Sequence, residues 1–576
     1  MKGFFPFLEW LQNYKRSFFS KDLLAGVTVG IILVPQGMAY AMIAGLPPVY
    51  GLYASLFPIV VYALLGTSRQ LAIGPVAMDS LLVAAGLGTL AISGIENYIA
   101  MAMLLAFLVG AMQLLLGFFR MGFLVNFMSK PVISGFTSAA AFIIMFSQLK
   151  HLLGTNIPGS NQFHILIRNA FRNIGEANPY DVMIGVLGIL FIILLRKFNK
   201  KILAILLVVV LGVIAVFAFN LESKGVKLVG NVPKGLPSFK IHAFNLESIK
   251  ALWPIALAVA FVGYLEAISI GKGIEEKNNT DTIRPNQELI ALGTTNIVGS
   301  FFQSLPVTAS FSRSAINNEL GAKTQISSIV SVLLVLITLL FLTPLFYYLP
   351  NAVLASIIMV SVFSLIDFSY ARSLWENRKD EFMVLLATFC ITLFIGIKEG
   401  ILIGILISLL LMVYRTSKPH FAVLGRIKGT DYFKNINRFS EDIEIEDEVL
   451  ALRFDSQLYF GNKGFFKTEL YRQIEKKGPK LKYIILNAEA INYMDSTATH
   501  MLRNVVADLK DRGLEFKLAR VNGPLRDLLY KSGLINDIGE ENIFVRTFEA
   551  CDNCKNHGGK TQMQNKIALQ SKNHPI

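Results

Sequence analysis

Two proline-centred motifs recur in apolar surroundings, Gly-Pro-Val-Ala at 74–77 and Leu-Pro-Val-Thr at 305–308. Proline breaks or starts helices, so each motif interrupts a stretch that would otherwise read as a membrane span. A helix that begins part-way across a bilayer aims free N–H groups and the positive end of its dipole at one point. Two such starts, one in each half of a chain, make an anion site built mainly from backbone near the midplane. Gly74, Pro75, Val76 and Ala77 would form one side of it, with Pro75 in the first helical turn. Thr308, Ser310, Ser312 and Arg313 would form the other, adding hydroxyl donors and a permanent cation. Arginine inside a span is expensive and marks either a pathway or a partnered charge. The plainer alternative is a salt bridge from Arg313 to Glu266 or Asp79.

Three further side chains carry chemistry. Gln36 and Tyr40 are four apart in Pro-Gln-Gly-Met-Ala-Tyr at 35–40, so they share one helix face. A simple proline kink, with Gln36 bonded to a freed carbonyl, is the structural alternative. Glu266 is the carboxylate deepest in its apolar segment. A carboxyl group is costly to charge away from water, so Glu266 could take up and release a proton. Proton co-transport would offset the cost of importing an anion against the membrane potential. The alternative is a fixed partner for Arg313 or Lys272.

The elements that must hold these residues are membrane spans. The chain has 576 residues, is 53% hydrophobic and only 16% charged, against about 25% charged for soluble domains. Apolar segments near 24–44, 50–66, 75–92, 98–118, 131–150, 180–195 and 202–219 form a first set of seven. A second seven follows near 252–271, 287–303, 307–321, 325–348, 351–367, 381–397 and 400–415. Basic clusters (Lys15, Arg16, Lys21; Arg196, Lys197, Lys200, Lys201; Lys272, Lys277; Arg372, Arg378, Lys379; Arg415, Lys418) are separated by even numbers of spans. All therefore fall on one side, the cytoplasm. The lysines of 220–251 lie outside, in what reads as a solvated loop. An odd number of spans per half makes any repeat between halves an inverted one. The net charge of +14 follows from the basic cytoplasmic loops and does not indicate nucleic acid.

After Lys418 the composition becomes that of a soluble domain. Strand patterns at 449–454, 482–487, 515–521 and 543–548 alternate with helical patterns at 464–477, 497–512 and 523–532, which indicates a small α/β domain. Asp495-Ser-Thr-Ala between a strand and a helix is an N-cap setting, with Ser496 and Thr497 as possible regulatory phosphosites. Expected boundaries are a cytoplasmic segment 1–20, a membrane domain 21–418, a linker 419–445, the α/β domain 446–550 and a disordered tail 551–576. Three cysteines argue against a disulfide framework. Cys390 reads as a small core residue, and Cys551, Cys554 and His557 are too few for a four-ligand zinc site, so no metal is expected. No cleavable signal peptide is expected. A GxxxxGK[ST] nucleotide loop is absent, and no catalytic constellation appears, so neither an ATP-driven pump nor an enzyme is indicated.

At this point the chain resembles the SulP anion transporters, the sulfate permease family, over about 20–550. The specific motifs are Pro-Gln-Gly-Met-Ala-Tyr-Ala at 35–41, Ala-Gly-Leu-Pro-Pro-Val-Tyr-Gly-Leu-Tyr at 44–53, Gly-Pro-Val-Ala at 74–77 and Pro-Val-Thr-Ala-Ser-Phe-Ser-Arg-Ser-Ala-Ile-Asn at 306–317. The tail with Asp495-Ser-Thr looks like a STAS domain. The resemblance implies an α-helical polytopic membrane protein of 14 segments in two inverted seven-segment repeats. These divide into core and gate domains with broken third and tenth helices, followed by the cytoplasmic STAS domain. It implies an anion held between the third and tenth half-helices, contacts from Gln36, Tyr40, Ser312 and Arg313, and proton coupling at Glu266. It also implies homodimers working by an elevator-like shift, in the plasma membrane (the inner membrane of a bacterium), with both termini cytoplasmic. Asp79 departs from the family, which usually has an apolar residue there; it could repel the anion, pair with Arg313 or join in proton coupling. Ala498 replaces a glycine that usually follows the Asp-Ser-Thr motif.

The expected function is secondary active transport of a small inorganic oxyanion, sulfate first, by proton symport, with no cofactor beyond the coupling ion. Sodium–bicarbonate symport, C4-dicarboxylate symport and anion exchange are the alternatives within transport. A channel or an anion-responsive regulator, with a cytoplasmic partner on the STAS domain, is the alternative outside it.

Overall fold

The computed structural model describes residues 6–556 apart from 89, 91, 124–128, 156, 158–162, 199–203, 242–244, 279–282, 364 and 439–442. Its backbone separates into two compact units, Met1–Ser408 and Leu409–Ile576.

A helix lies in each expected apolar segment, the last of them running past Ser408. In chain order they are α1 (Arg16–Ile43), α2 (Val49–Tyr53 and Phe57–Leu65), α3 (Ala77–Gly88), α4 (Ile95–Phe118), α5 (Lys130–Ser147), α6 (Pro179–Phe198) and α7 (Ala204–Phe219). The second series is α8 (Leu246–Asn278), α9 (Pro285–Phe301), α10 (Phe311–Glu319), α11 (Ile326–Ile337), α12 (Asn351–Phe363), α13 (Lys379–Phe394) and α14 (Ile397–Ser417). Among the described residues six helices are each long and apolar enough to cross a bilayer alone. The short α3 and α10 are not, because each is preceded by a strand rather than by more helix. Outward residues of α6 and α7, such as Leu187, Leu194, Ile214 and Phe217, are more than half exposed, as lipid-facing side chains are.

Packing repeats between the halves. α4 packs on α9 as α11 packs on α2, α8 on α4 as α11 on α1, α8 on α3 as α1 on α10, and α5 on α13 as α12 on α6. Each pair becomes the other when seven is added to one label and subtracted from the other. The helices also sort into two groups. α1–α4 with α8–α11 enclose the broken segments, while α5–α7 pack with α12 and α13. Close approach inside the first group needs glycine: a Cβ on Gly51 of α2 would collide with the Gly37 carbonyl of α1.

The segment 224–241 is a loop, and much of it is exposed. It is strapped down by backbone bonds, Val229 N to Leu349 O (2.9 Å), Gly235 N to Leu339 O (3.2 Å) and Lys240 N to Phe301 O (2.8 Å). Backbone groups beside apolar surface must be paired, and neighbouring carbonyls pair them here.

The second unit is an α/β domain on a mixed sheet. β6 (Val449–Phe454), β7 (Tyr483–Asn487), β8 (Glu515–Ala519) and β9 (Ile543–Phe544) run parallel, with α15 (Lys463–Lys477), α16 (Ser496–Asp511) and α17 (Gly523–Lys531) between them. Two expected boundaries are corrected. The linker 419–445 contains β3 (Phe421–Ile427), antiparallel to β6 and paired also with β4 (Phe433–Asn435) and β5 (Ile443–Glu444). Its alternating pattern buries Ala422 and Leu424. The tail does not begin at 551, because α18 (Thr547–Asn556) packs against the sheet and buries Cys551 and Cys554. Burial pushes both thiols up to about 12, so they are inert core residues. His557 lies outside the described residues, as do Lys200 and Lys201; no metal-binding cluster occurs among the described ones.

Asp495 caps α16: its Oδ1 accepts from Ala498 N (2.7 Å) and its Oδ2 from Phe460 N (2.8 Å). Ser496 and Thr497 stand exposed in the first turn. Asp495→Ala removes both bonds and is expected to cost about 1–2 kcal/mol. Calorimetry of the full chain should then show the second unit melting roughly 3–6 °C lower.

Candidate anion-binding site

The two interrupted helices meet through a short antiparallel ladder. β1 (Ile73–Gly74) pairs with β2 (Thr308–Ala309), Ile73 opposite Ala309 and Gly74 opposite Thr308. Ser310 N donates to Ala72 O (2.9 Å), and the Ser314 hydroxyl accepts from Ala72 N (2.9 Å). Extended chain at this depth is tolerable only because each strand satisfies the other.

Helix α3 then starts at Ala77, its first bond running from Ser80 N to Val76 O (3.1 Å). Pro75 therefore lies before the helix, not in its first turn as the sequence suggested: pairing of Gly74 in the ladder holds the chain extended too far along. Helix α10 starts at Phe311 with Ser310 as N-cap, whose hydroxyl accepts from Arg313 N (3.5 Å) and lies 3.4 Å from the Ser312 hydroxyl. The leading N–H groups of both helices have no intrahelical acceptor, so both starts present donors and positive dipole ends from adjoining strands.

Arg313 is wholly buried. Its Nη2 donates to Pro75 O (3.0 Å) and its Nη1 to Gln36 Oε1 (3.4 Å), while Nε is buried without a partner. One side chain of α10 thus ties together α1 and the lead-in to α3. The alternative reading, a salt bridge to Asp79 or Glu266, is not what forms; among the described residues neither carboxylate reaches Arg313 as an ion pair. The proline supplies the reason, since its carbonyl sits within reach of the guanidinium. Gly74 is required here: its φ of +149° suits glycine, and a Cβ would stand 3.1 Å from Nη2.

The other expected residues fall around this crossing. Tyr40 lies one turn beyond Gln36, buried, and within electrostatic reach of Arg313. Val76, Ala77 and Ser310 are buried, and the Thr308 hydroxyl donates to Gly263 O of α8 (2.6 Å). Ser312 is exposed together with Phe311, which makes the first turn of α10 the accessible face of the site. Glu266 follows Gly263 by one turn of α8, and Asp79 Oδ2 packs against Gly263. Asp79 Oδ1 and Glu266 Oε2 are both buried without a hydrogen-bond partner.

A profile of the sulfate permease family matches residues 19–388, and a STAS profile matches 440–550. The chain belongs to the sulfate permease family. It is 37% identical to sulfate transporter 4.1, chloroplastic, of Arabidopsis thaliana over 98% of this chain and 84% of the relative. It is 31% identical to the probable sulfate transporter MT1781 of Mycobacterium tuberculosis (strain CDC 1551 / Oshkosh), over 94% of this chain and 96% of the relative. The murine solute carrier 26 family member A9 anion transporter, in its inward-facing state, superposes with a TM-score of 0.88 at 26% identity, covering 96% of this chain and 94% of that one. The transmembrane domain of a cyanobacterial bicarbonate transporter shares the fold, with a TM-score of 0.60 at 20% identity over 69% of this chain and 98% of that one. The chain is therefore a multi-pass membrane protein of this family, a helical membrane domain followed by a STAS domain.

Sequence reading missed the residues that hold the SulP crossing in place. Asn296 of α9 accepts from Val307 N (2.8 Å) and donates to Val307 O (3.1 Å) and to Gln113 Oε1 (3.0 Å). Gln113 of α4 in turn donates to Ala260 O of α8 (3.2 Å). Gln325 donates to Ser68 O (2.8 Å) and Leu71 O (3.0 Å), fixing the other lead-in. Buried Glu288 accepts from Tyr62 (2.9 Å) and from Thr67 N (2.6 Å), and also from the Thr67 hydroxyl. The available signal was an amide or carboxylate inside an apolar span, the same signal that singled out Gln36. Asn296→Ala leaves both polar groups of Val307 and the Gln113 oxygen unpaired, each at about 1–3 kcal/mol. A lower unfolding temperature in detergent together with anion uptake at least tenfold slower is expected; a variant unchanged in both would show that Asn296 does not set the β2 geometry.

Proposed function

We propose that the chain is a secondary active transporter of a small inorganic oxyanion, sulfate first, coupled to protons. The observation that carries the reading is the meeting of two helix starts at one antiparallel ladder, with Arg313 buried beside it. Such a place favours an anion through backbone N–H groups, dipole ends and one cation together. Ser310, Ser312 and Thr308 add hydroxyls, and Gln36 and Tyr40 line the same place from α1. Sulfate is preferred because both relatives named above carry it in their names. Glu266 is the proton carrier, a deep carboxylate with an unpartnered oxygen.

The anion crosses by an elevator-like shift of α1–α4 with α8–α11 against α5–α7 and α12–α14. The sorting of helices into two packed groups supports that division. As part of the same reading, the protein works as a homodimer in a cell membrane with both termini in the cytoplasm. The STAS domain meets a cytoplasmic partner near the exposed Ser496 and Thr497.

Full-length protein in liposomes should take up labelled sulfate faster under an inward proton gradient. It should prefer sulfate over bicarbonate, succinate and chloride in competition. Uptake indifferent to pH but dependent on sodium, or uptake without concentrative power, would replace the symport reading by sodium coupling or by a channel.

A further inference from the structure

Two carboxylates, not one, lie beside the candidate site. Asp79 on α3 is 1% exposed, and a Cβ on Gly263 of α8 would stand 3.1 Å from its Oδ2 and 3.4 Å from the Thr308 hydroxyl. Glu266 is three residues further along α8, on the same face. Their charges repel each other. Both retain a buried oxygen without a partner, and so does the neighbouring Ser80 hydroxyl. A buried carboxylate with no partner is costly, and two beside each other cost more.

The one cation near them gives only partial relief. From α10 the pair faces Arg313, whose two guanidinium bonds are committed to Pro75 and Gln36. From α1 the phenol of Tyr40 lies within electrostatic reach of Arg313. Helices α4 and α5 carry charged residues only at their ends, Glu96 and Lys130. With both carboxyls ionised, this region holds two negative charges against one positive, before any anion arrives. A divalent anion entering beside Arg313 would be repelled. With both neutral, the single positive charge and the helix starts face the anion alone.

We propose that Asp79 and Glu266 form one two-carboxyl proton site, so that each divalent anion crosses with at least two protons. Each carboxylate oxygen takes a proton on the side where the anion binds. Each O–H bond breaks on the other side after the anion has left, returning the proton to water. The inference rests on the proton-coupled reading above and adds its stoichiometry.

The test is static-head accumulation of labelled sulfate in proteoliposomes of the full chain, with the membrane potential clamped to zero. For n protons per sulfate, a gradient of one pH unit gives a concentration ratio of about 10 to the power n. The wild type is expected to reach about 100-fold or more, Asp79→Asn about tenfold, and Asp79→Glu the wild-type ratio. A wild-type ratio near ten overturns the two-proton site even if Asp79→Asn cannot be produced. An Asp79→Asn ratio equal to wild type also overturns it and leaves symport standing. A wild-type ratio of one removes the symport reading, and the inference with it. Accumulation that disappears when N-methylglucamine replaces sodium overturns it in favour of a metal cation at the same carboxylates.

Discussion

Glu266→Gln is expected to cut the proposed proton-driven accumulation of sulfate about tenfold or more per pH unit while sulfate–sulfate exchange continues. The amide keeps the size and hydrogen-bonding of the carboxyl group but cannot carry a proton across. Each proton moving down one pH unit supplies about 1.4 kcal/mol, a factor of about ten in accumulation. The variant should therefore concentrate sulfate about tenfold less than the wild type per pH unit, and its uptake rate should depend less steeply on external pH. Exchange needs only the loaded forms and persists at a measurable rate. Comparing net uptake and counterflow in one liposome preparation checks this, and unchanged accumulation would clear Glu266 of the role.

Arg313→Ala is expected to have the second large effect, for two separable reasons. At an effective dielectric of about 20, one unit charge roughly 6 Å from a divalent anion contributes on the order of 5 kcal/mol. Losing even half of that weakens apparent affinity about 100-fold. The substitution also leaves Pro75 O and Gln36 Oε1 without their donor, at about 1–3 kcal/mol for each buried group. Arg313→Lys separates the two, because lysine keeps the charge but not the fork that reaches both acceptors. If the field dominates, the lysine variant recovers most of the affinity with a lowered unfolding temperature. If bracing dominates, it resembles alanine in both. Sulfate binding by isothermal titration and thermal unfolding in detergent give the two readouts.

The membrane architecture was legible because hydrocarbon imposes a simple code. Spans need about 20 apolar residues, and proline marks where they break. That code located a helix in every expected segment, and the motifs around 35–53, 74–77 and 306–317 carried the family. It failed where structure depends on partners distant in sequence. The strand Phe421–Ile427 read as linker because its pattern is short and its partner, Val449–Phe454, follows a separate turn-rich stretch. Helix Thr547–Asn556 read as the end of a strand and, from 551, as tail, because ten polar-rich residues give little helical signal without the sheet they cover. The strap at 224–241 has no apolar period at all, since its order comes from backbone bonds to Phe301, Leu339 and Leu349.

The sequence by itself determined the residue types at the crossing: two helix-starting motifs, a hydroxyl-rich lead, one arginine and two carboxylates, all set in apolar segments. Chemistry of that kind is written in composition and spacing. Only the tertiary structure decided which of them meet. It pairs Gly74 with Thr308, turns Arg313 onto Pro75 and Gln36 instead of a carboxylate, and leaves Asp79 beside Gly263 and Glu266. Those outcomes depend on the register of a two-residue ladder and on which carbonyls lie within about 3 Å of a guanidinium. A chain read in one dimension contains neither.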